Sequence, residues 1–325
     1  MSVTDTAVRS VDPLRIAVIG AGAVGGVFGA RLQHAGHDVV FVARGAILDV
    51  LRRDGLSLES IDGNLRLTSV QVTDDVSSIG IVDVVLVCVK ATQVAAIAPT
   101  LRPLVGAATA VIPLQNGVES SSHLAAALGS PHVLEGLARV LVELDGPGRI
   151  RHTAVTPIVE FGLRAGAPAE SPAYVQIARF ASAIRESGLH AVLPPDMGVA
   201  YWEKFLFIEP IGAVGAAARA PFGVVRSIPE TRALLDAALH EVCNVGRAVG
   251  VAWPDDSVER VLARYDSLPA DGTTSLQRDL MAGRPSEFEA QTGAVVRLGR
   301  LHAVATPVHD ALYALLLPTA QPAAH

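Results

Sequence analysis

The chain has 325 residues, of which 50% are hydrophobic and 18% charged, and this length predicts two domains because single cores rarely grow so large. Its formal net charge is −6 and no basic block stands out, which argues against a nucleic-acid partner. Two distant cysteines, Cys88 and Cys243, and the lack of a signal-peptide or membrane-spanning stretch favour a cytoplasmic protein with no metal site and no membrane partner.

The N-terminal elements follow the order strand, glycine-rich turn, helix, strand. The apolar run at 15–19 predicts a buried strand, residues 27–35 have helical spacing that stops at Gly36, and 38–43 predict a second strand. Between the first strand and the helix lies Gly20-Ala-Gly-Ala-Val-Gly25, which fits the pattern G-x-G-x-x-G. This order within about thirty residues is typical of a dinucleotide-binding βαβ unit.

Each glycine of the motif has a separate expected role. Gly20 permits a tight turn, Gly22 lets the backbone approach a pyrophosphate, and Gly25 lets helix and strand pack closely. The phosphate is expected on the backbone amides at the start of the helix, which include those of Ala23 and Val24.

The residue after the second predicted strand suggests which dinucleotide binds. Enzymes that use NAD usually carry Asp or Glu there, and its carboxylate binds the ribose 2′-hydroxyl. This chain has Arg44 instead, and a guanidinium suits a 2′-phosphate because it can donate two parallel hydrogen bonds. We therefore expect NADP(H) as the cofactor.

The later patterns divide the chain into an α/β part and an all-α part. Further strands are predicted at 56–58, 65–72, 82–89, 110–113, 132–144, 149–162 and 189–193, with a helix at 174–187. After Pro194-Pro195 the pattern is helical, at 197–219, 231–249, 257–265, 286–302 and 308–316. We therefore expect an N-terminal Rossmann domain with a doubly wound sheet at 14–194, an all-α domain at 195–318, and flexible tails at 1–13 and 319–325.

Several motifs spread between residues 14 and 317 carry a family resemblance. Beside the glycine motif they are Val42-Ala-Arg-Gly45, Val89-Lys-Ala-Thr-Gln93, Gln115-Asn-Gly117, Gly146-Pro-Gly148 with His152-Thr153, Trp202-Glu-Lys204, Gly283-Arg-Pro-Ser-Glu287 and Thr306-Pro307. In these the chain resembles the ketopantoate reductase (2-dehydropantoate 2-reductase) family. The resemblance implies a Rossmann domain joined to a helical domain of the 6-phosphogluconate dehydrogenase C-terminal type. It also implies NADPH and substrate in the cleft between the domains, and a homodimer.

The chemistry implied is the reduction of a carbonyl group, which needs a proton donor and groups that stabilise charge on the oxygen. Lys204 lies in an apolar helical stretch, where a partly buried ammonium can act as an acid, and the resemblance implies that it is the proton donor. The resemblance implies that Glu287 positions this lysine and the substrate and that Ser275 binds a substrate carboxylate. Asn116 and Lys90 match residues near the nicotinamide and the substrate.

Three positions depart from the family pattern. In that pattern, asparagines that face the substrate lie four, eight and eighteen residues after the lysine. Here those positions are Ile208, Gly212 and Phe222. A site that loses such hydrogen-bonding groups loses discrimination for a hydroxylated substrate, so we expect these three residues to line a rebuilt, less polar substrate site.

The leading interpretation is therefore an NADPH-dependent reductase that acts on the carbonyl of a small molecule, a 2-oxo acid or a related ketone, with ketopantoate itself a poor substrate. An imine reductase or an alcohol dehydrogenase on the same scaffold is a second reading. A third, a nucleotide-binding regulator without turnover, is disfavoured by the presence of both Lys204 and Glu287.

Overall fold

The computed structural model describes residues 12–164, 167 and 171–321. These residues form two compact units. The first contains the described residues up to Val89, together with Val94–Gln115 and Ser121–Met197, and the second contains Lys90–Gln93, Asn116–Ser120 and the described residues from Gly198 onward. The division predicted at Pro194-Pro195 assigns Lys90–Gln93 and Asn116–Ser120 to the first domain, whereas the structure groups both segments with the second unit. Most of the two expected tails, residues 1–11 and 322–325, lies outside the described residues.

The strands of the first unit fall into two sheets. In chain order they are β1 (Arg15–Ile19), β2 (Asp38–Val42), β3 (Leu56–Ser60), β4 (Leu65–Leu67), β5 (Gln71–Thr73), β6 (Val82–Val87), β7 (Val105–Pro113), β8 (Glu135–Gly146), β9 (Arg149–Gly162) and β10 (His190–Val192). The first sheet has the order β5-β2-β1-β6-β7, and all its neighbouring strands are parallel. Strands β1 and β6 lie at its centre and are almost entirely buried, as apolar runs in parallel sheets are when helices cover both faces.

The second sheet is built around the long strand β9. It forms an antiparallel hairpin with β8 across the turn Gly146-Pro147-Gly148, and its first and last parts pair in parallel with β3 and β10. Strand β4 pairs with β3, whereas β5 pairs with β2 in the first sheet. The single strand predicted at 65–72 is therefore wrong, because the chain leaves one sheet after Leu67 and joins the other at Gln71.

The helices before Gly198 are α1 (Ala23–His34), α2 (Gly45–Asp54), α3 (Ala91–Ile97), α4 (Ser120–Leu128) and α5 (Tyr174–Glu186). Helix α1 begins inside the glycine motif, four residues earlier than its apolar spacing indicates. The sequence does not predict α2, α3 or α4. They are short, and serines at the start of α4 and prolines after α3 have the composition of loops.

The second unit is helical, and the described residues from Gly198 onward contain no strand. Its helices are α6 (Met197–Ala218), α7 (Phe222–Ser227), α8 (Pro229–Ala248), α9 (Ser257–Asp266), α10 (Ser275–Met281), α11 (Thr292–Leu301) and α12 (Pro307–Ala320). The helix predicted at 286–302 begins only at Thr292, because residues 287–291 form a bend and turns. Helix α12 extends two residues into the expected tail.

Each unit has its own hydrophobic core. In the first unit, β1 alternates its side chains between two clusters, with Ile16 and Val18 in one and Ala17 and Ile19 in the other. The parallel sheet thus has a packed layer on each face, the arrangement of a doubly wound fold. The core of the second unit gathers aromatic and aliphatic side chains from its own helices.

Candidate active site

The glycine turn has the geometry that the motif predicts. Gly20 has φ +101°, and a Cβ there would lie 2.9 Å from the backbone nitrogen of Val89. A Cβ on Gly25 would lie 2.0 Å from the carbonyl oxygen of Gly20, whereas one on Gly22 would meet no atom within 4 Å. The first and third glycines are therefore required by backbone conformation and packing. Gly22 instead leaves open space beside the turn.

Helix α1 starts in that open space. Its N-cap is Gly22, which supplies no side-chain cap, and its first turn contains no acidic residue. The first backbone N–H groups of a helix, here including those of Ala23 and Val24, have no acceptor within the helix. A pyrophosphate can accept these hydrogen bonds, so this turn fits a dinucleotide.

Arg44 lies at the same edge of the sheet as the glycine turn. Strand β2 ends at Val42, which is paired with Ile19 at the end of β1, and the N–H of Gly20 donates to the carbonyl of Val42 at 2.9 Å. Arg44 follows as the N-cap of α2. Its side chain is exposed, and it forms no hydrogen bond or ion pair among the residues that the structure describes. The guanidinium is therefore available to a phosphate.

In the second unit, Asn116 and Glu287 are brought together. The side-chain amide of Asn116 donates to Oε2 of Glu287 at 2.9 Å, and the backbone N–H of Ala91 donates to Oε1 at 3.3 Å. Glu287 is only 9% exposed, so these two donors replace water at its carboxylate. The Asn116 loop is fixed next to this site, because a Cβ on Gly117 would lie 2.5 Å from the carbonyl oxygen of Ala290.

Lys90 is already paired with an acidic residue. Its Nζ lies 3.1 Å from Oδ2 of Asp279, a carboxylate that also accepts from Arg284 at 2.9 Å. The motif analysis does not identify Asp279 as part of the site. In the sequence, only Arg284 points to this group of side chains, because it lies within the motif Gly283-Arg-Pro-Ser-Glu287.

Lys204 is buried on α6 among core residues. It is 8% exposed, while Phe205 and Leu206 beside it are each 1% exposed. Ile208 and Gly212 follow at intervals of four, which places them on the same face of the helix as Lys204. Ile208 is half-buried. A Cβ on Gly212 would lie 3.0 Å from Oγ1 of Thr274, so Thr274 occupies the space next to this position.

The remaining two expected substrate residues differ in their surroundings. Phe222 is 8% exposed and belongs to the core of the helical unit, where a Cβ on Gly272 would lie 2.7 Å from its ring. Its contacts are those of a packing residue. Ser275 is exposed at the first position of α10, after the N-cap Thr274.

The described residues contain no group of three or more His, Cys, Asp and Glu side chains that could hold a metal ion. The two cysteines are free, and burial raises the pKa of Cys88 to about 12 and that of Cys243 to about 11. At neutral pH both are therefore unreactive thiols.

No helix in the described part of the chain is long and apolar enough to cross a membrane.

Comparisons with known proteins agree with this geometry. The family model described as ketopantoate reductase PanE/ApbA matches residues 16–166, and the C-terminal model of the same family matches residues 196–319. A 2-dehydropantoate 2-reductase of Mycobacterium tuberculosis (strain H37Rv) is 31% identical over 302 residues, which cover 93% of this chain and 96% of the relative.

Solved structures show the same fold. A 2-dehydropantoate 2-reductase from Geobacter metallireducens has a TM-score of 0.84 at 28% identity, with 94% of this chain and 99% of that chain covered. A D-mandelate dehydrogenase solved with NADH and anilino(oxo)acetate has a TM-score of 0.83 at 22% identity, with 94% and 98% covered. This second likeness concerns the fold alone. The chain therefore belongs to the ketopantoate reductase PanE/ApbA family of oxidoreductases.

Proposed function

We propose that the protein is an NADPH-dependent reductase that converts the carbonyl group of a 2-oxo acid or related ketone to a hydroxyl, and that ketopantoate is not its preferred substrate. The observation that carries this proposal is the buried Glu287 carboxylate, which Asn116 and the backbone of Ala91 hold in place. A buried, oriented carboxylate is typical of a site that must position a cation and a substrate.

The first unit contributes the cofactor site. The turn at Gly20 and Gly22 and the amides of Ala23 and Val24 bind the pyrophosphate, and Arg44 binds the 2′-phosphate of NADPH. When bound, the cofactor supplies the hydride that the carbonyl carbon receives. The absence of an acidic side chain from the first turn of α1 supports this assignment, because a carboxylate there would repel the phosphates.

The second unit contributes the proton. As the carbonyl carbon gains a hydride, its oxygen gains negative charge and takes a proton from Nζ of Lys204, which then regains one from water. Burial of Lys204 supports this role, because an ammonium shielded from bulk water can meet the substrate oxygen directly. Glu287 is assigned to orient the lysine and the substrate, with Asn116 fixing the carboxylate. Lys90, whose ammonium is fixed by its ion pair with Asp279, is assigned to the nicotinamide.

The substrate is proposed to be less polar than ketopantoate. Ile208 and Gly212 lie on the Lys204 face of α6 and offer no hydrogen-bonding side chain. An apolar surface favours a substrate with hydrocarbon groups, at about 0.8 kcal/mol for each buried methylene. Ser275, exposed at the start of α10, is available to hold a substrate carboxylate, so we favour an apolar 2-oxo acid.

The test is the consumption of NADPH, followed by absorbance, with a panel of apolar and polar 2-oxo acids, simple ketones and cyclic imines. Turnover that is fastest with an apolar 2-oxo acid supports the proposal. Turnover of imines alone, or of alcohols with NADP⁺ alone, would assign an imine reductase or an alcohol dehydrogenase instead. Tight binding of NADPH without turnover of any compound would assign a regulatory protein.

We further propose a homodimer. Leu301 on α11 and Leu315 on α12 are 75% and 69% exposed, and an interface with a second copy that included them would remove these side chains from water. Light scattering of the purified protein measures the mass directly. A monomer at micromolar concentration would contradict this part of the proposal.

A further inference from the structure

A fully buried carboxylate on α6 connects the helix of Lys204 to the segment of Glu287. Glu209 follows Lys204 by five residues and is 0% exposed. Its Oε1 accepts a hydrogen bond from Oγ1 of Thr292 at 2.8 Å. Thr292 is also 0% exposed, begins α11, and follows Glu287 by five residues. One side chain thus joins α6, which carries the proposed proton donor, to the first residue of α11, five residues after Glu287.

The other oxygen of Glu209 faces a buried histidine. Nε2 of His309 lies 2.7 Å from Oε2 of Glu209, and Nδ1 lies 2.6 Å from Oε2 of Glu241. Glu241 also accepts the backbone N–H groups of Val308 and His309 at the start of α12, at 2.8 and 3.0 Å. Ionised carboxylates only accept hydrogen bonds, so both imidazole nitrogens donate and the ring is positively charged.

Helix α6 depends on side chains from elsewhere at this point. Pro210 follows Glu209 and has no N–H, so the carbonyl of Leu206 loses its usual helical donor. The hydroxyl of Tyr265, a residue that is 0% exposed, donates to the carbonyl of Phe207 at 2.8 Å and reaches that of Leu206 at 3.3 Å. Side chains of Tyr265, Thr292 and His309 therefore bind this part of α6, about one turn after Lys204.

Buried charged groups of this kind are a poor source of stability, because desolvation offsets most of their attraction. Their known use is to fix one arrangement of the elements that they join. We propose that Glu209, Thr292 and His309 are positioning residues, which hold the helix of Lys204 in register with the segment of Glu287. The inference rests on the proposed function, since it assigns these residues to the reaction that Lys204 and Glu287 carry out.

The sharpest test is Thr292→Val, which removes the hydrogen bond to Glu209 but keeps the shape of the side chain. We expect kcat to fall about 10- to 100-fold, the loss that a small misplacement of a reacting group causes. The affinity for NADPH should stay unchanged, and Thr292→Ser should restore kcat because it restores the hydroxyl. Leu239→Ala is the control for a general loss of packing, since Leu239 is 0% exposed in the same core and its apolar side chain forms no hydrogen bond. It should lower the unfolding temperature and keep kcat.

A second readout does not depend on turnover. Lys90 and Lys204 are the chain's only lysines, so reductive methylation with ¹³C-formaldehyde labels two side-chain amines and the N-terminus for NMR. Thr292→Val should shift or broaden the Lys204 signal, Thr292→Ser should restore it, and Leu239→Ala should leave it unchanged. If wild type turns over no substrate but these shifts appear, the proposed function fails and the positioning survives. An unaltered Lys204 signal and kcat in Thr292→Val, or equal losses in Leu239→Ala, would overturn the inference.

Discussion

Nε2 of His309 lies 2.7 Å from Oε2 of Glu209, and neither side chain is exposed to solvent. Burial by itself lowers the pKa of a histidine, but the charges and hydrogen bonds of Glu209 and Glu241 outweigh it and raise the pKa of His309 to about 9. The hydroxyl of Tyr265 is a further titratable group close to Glu209, and burial keeps its pKa well above the usual value. The helical unit therefore contains a fully buried histidine that is positively charged at neutral pH.

This charge predicts how stability depends on pH. In the unfolded chain His309 titrates near 6.5, so the folded state holds the proton more tightly. The free energy of unfolding should therefore be highest below about pH 6.5 and should fall as pH rises through about 9, where the folded state releases this proton. Urea unfolding between these values should show the decline in wild type and a much flatter profile in His309→Gln. His240→Gln, at an exposed histidine on α8, is the control. Equal declines in wild type and His309→Gln would disprove the assignment.

Arg44 predicts the choice of cofactor. Arg44→Ala should weaken the binding of NADPH about ten- to hundredfold, the value of a charge-assisted phosphate contact, and leave NADH binding nearly unchanged. The dissociation constants of both cofactors can be measured by fluorescence titration. Arg53→Ala is a matched control, because Arg53 lies at the other end of α2 and pairs with Asp54. Equal affinities of wild type for NADPH and NADH would contradict this role for Arg44.

We expect alanine to reduce stability at Gly25 but cofactor binding at Gly22. Gly25→Ala places a methyl group 2.0 Å from the carbonyl oxygen of Gly20, so it should destabilise the first unit by about 1–3 kcal/mol. Gly22→Ala adds a methyl group in open space and should keep the unfolding temperature, but it should weaken NADPH binding because it blocks the approach of the pyrophosphate. Calorimetry and cofactor titration separate the two effects. A Gly22→Ala protein that binds NADPH as wild type does would remove this residue from the cofactor site.

Ile208 predicts the polarity of the substrate. Ketopantoate should be used with kcat/KM below about 10⁴ M⁻¹s⁻¹, the lower end for ordinary enzymes, while apolar 2-oxo acids should be used better. Ile208→Asn should raise kcat/KM for ketopantoate about two- to tenfold, since one hydrogen bond contributes about 0.5–1.5 kcal/mol. Ile228→Asn, at a position 43% exposed after α7, is the control and should change nothing. Efficient use of ketopantoate by wild type would make the argument from Ile208 wrong.

The parts of the fold that the sequence predicts are those determined by local pattern. Strands β1 and β2 and the turn at Gly20 are contiguous, and each glycine acts on atoms of the same βαβ unit. The second sheet is different, because β3 pairs with β9 across about ninety positions, at Ser57 and Arg149, and no periodicity indicates such a pairing. Helix α4 begins with three serines, which have the composition of a loop until tertiary packing stabilises the helix.

The residues of the candidate site also fall into those that the sequence identifies and those that only the fold brings together. Lys204 and Glu287 stand out because each lies in a compact motif. The partner of Lys90, Asp279, is 189 positions away, and Glu209 and His309 are 100 positions apart. Single charged residues at such separations leave no pattern, and only the fold brings them together.

The central claim is that Lys204 is the proton donor. Its most direct test is the kcat of Lys204→Ala, measured together with the affinity of this variant for NADPH. We expect kcat to fall by about two to four orders of magnitude, the usual contribution of a positioned acid, with the affinity for NADPH unchanged. Lys204→Arg should be similarly impaired, because a guanidinium keeps the charge but does not release its proton. If Lys204→Ala kept more than about a third of the wild-type kcat, far more than loss of a general acid allows, Lys204 would not be the proton donor.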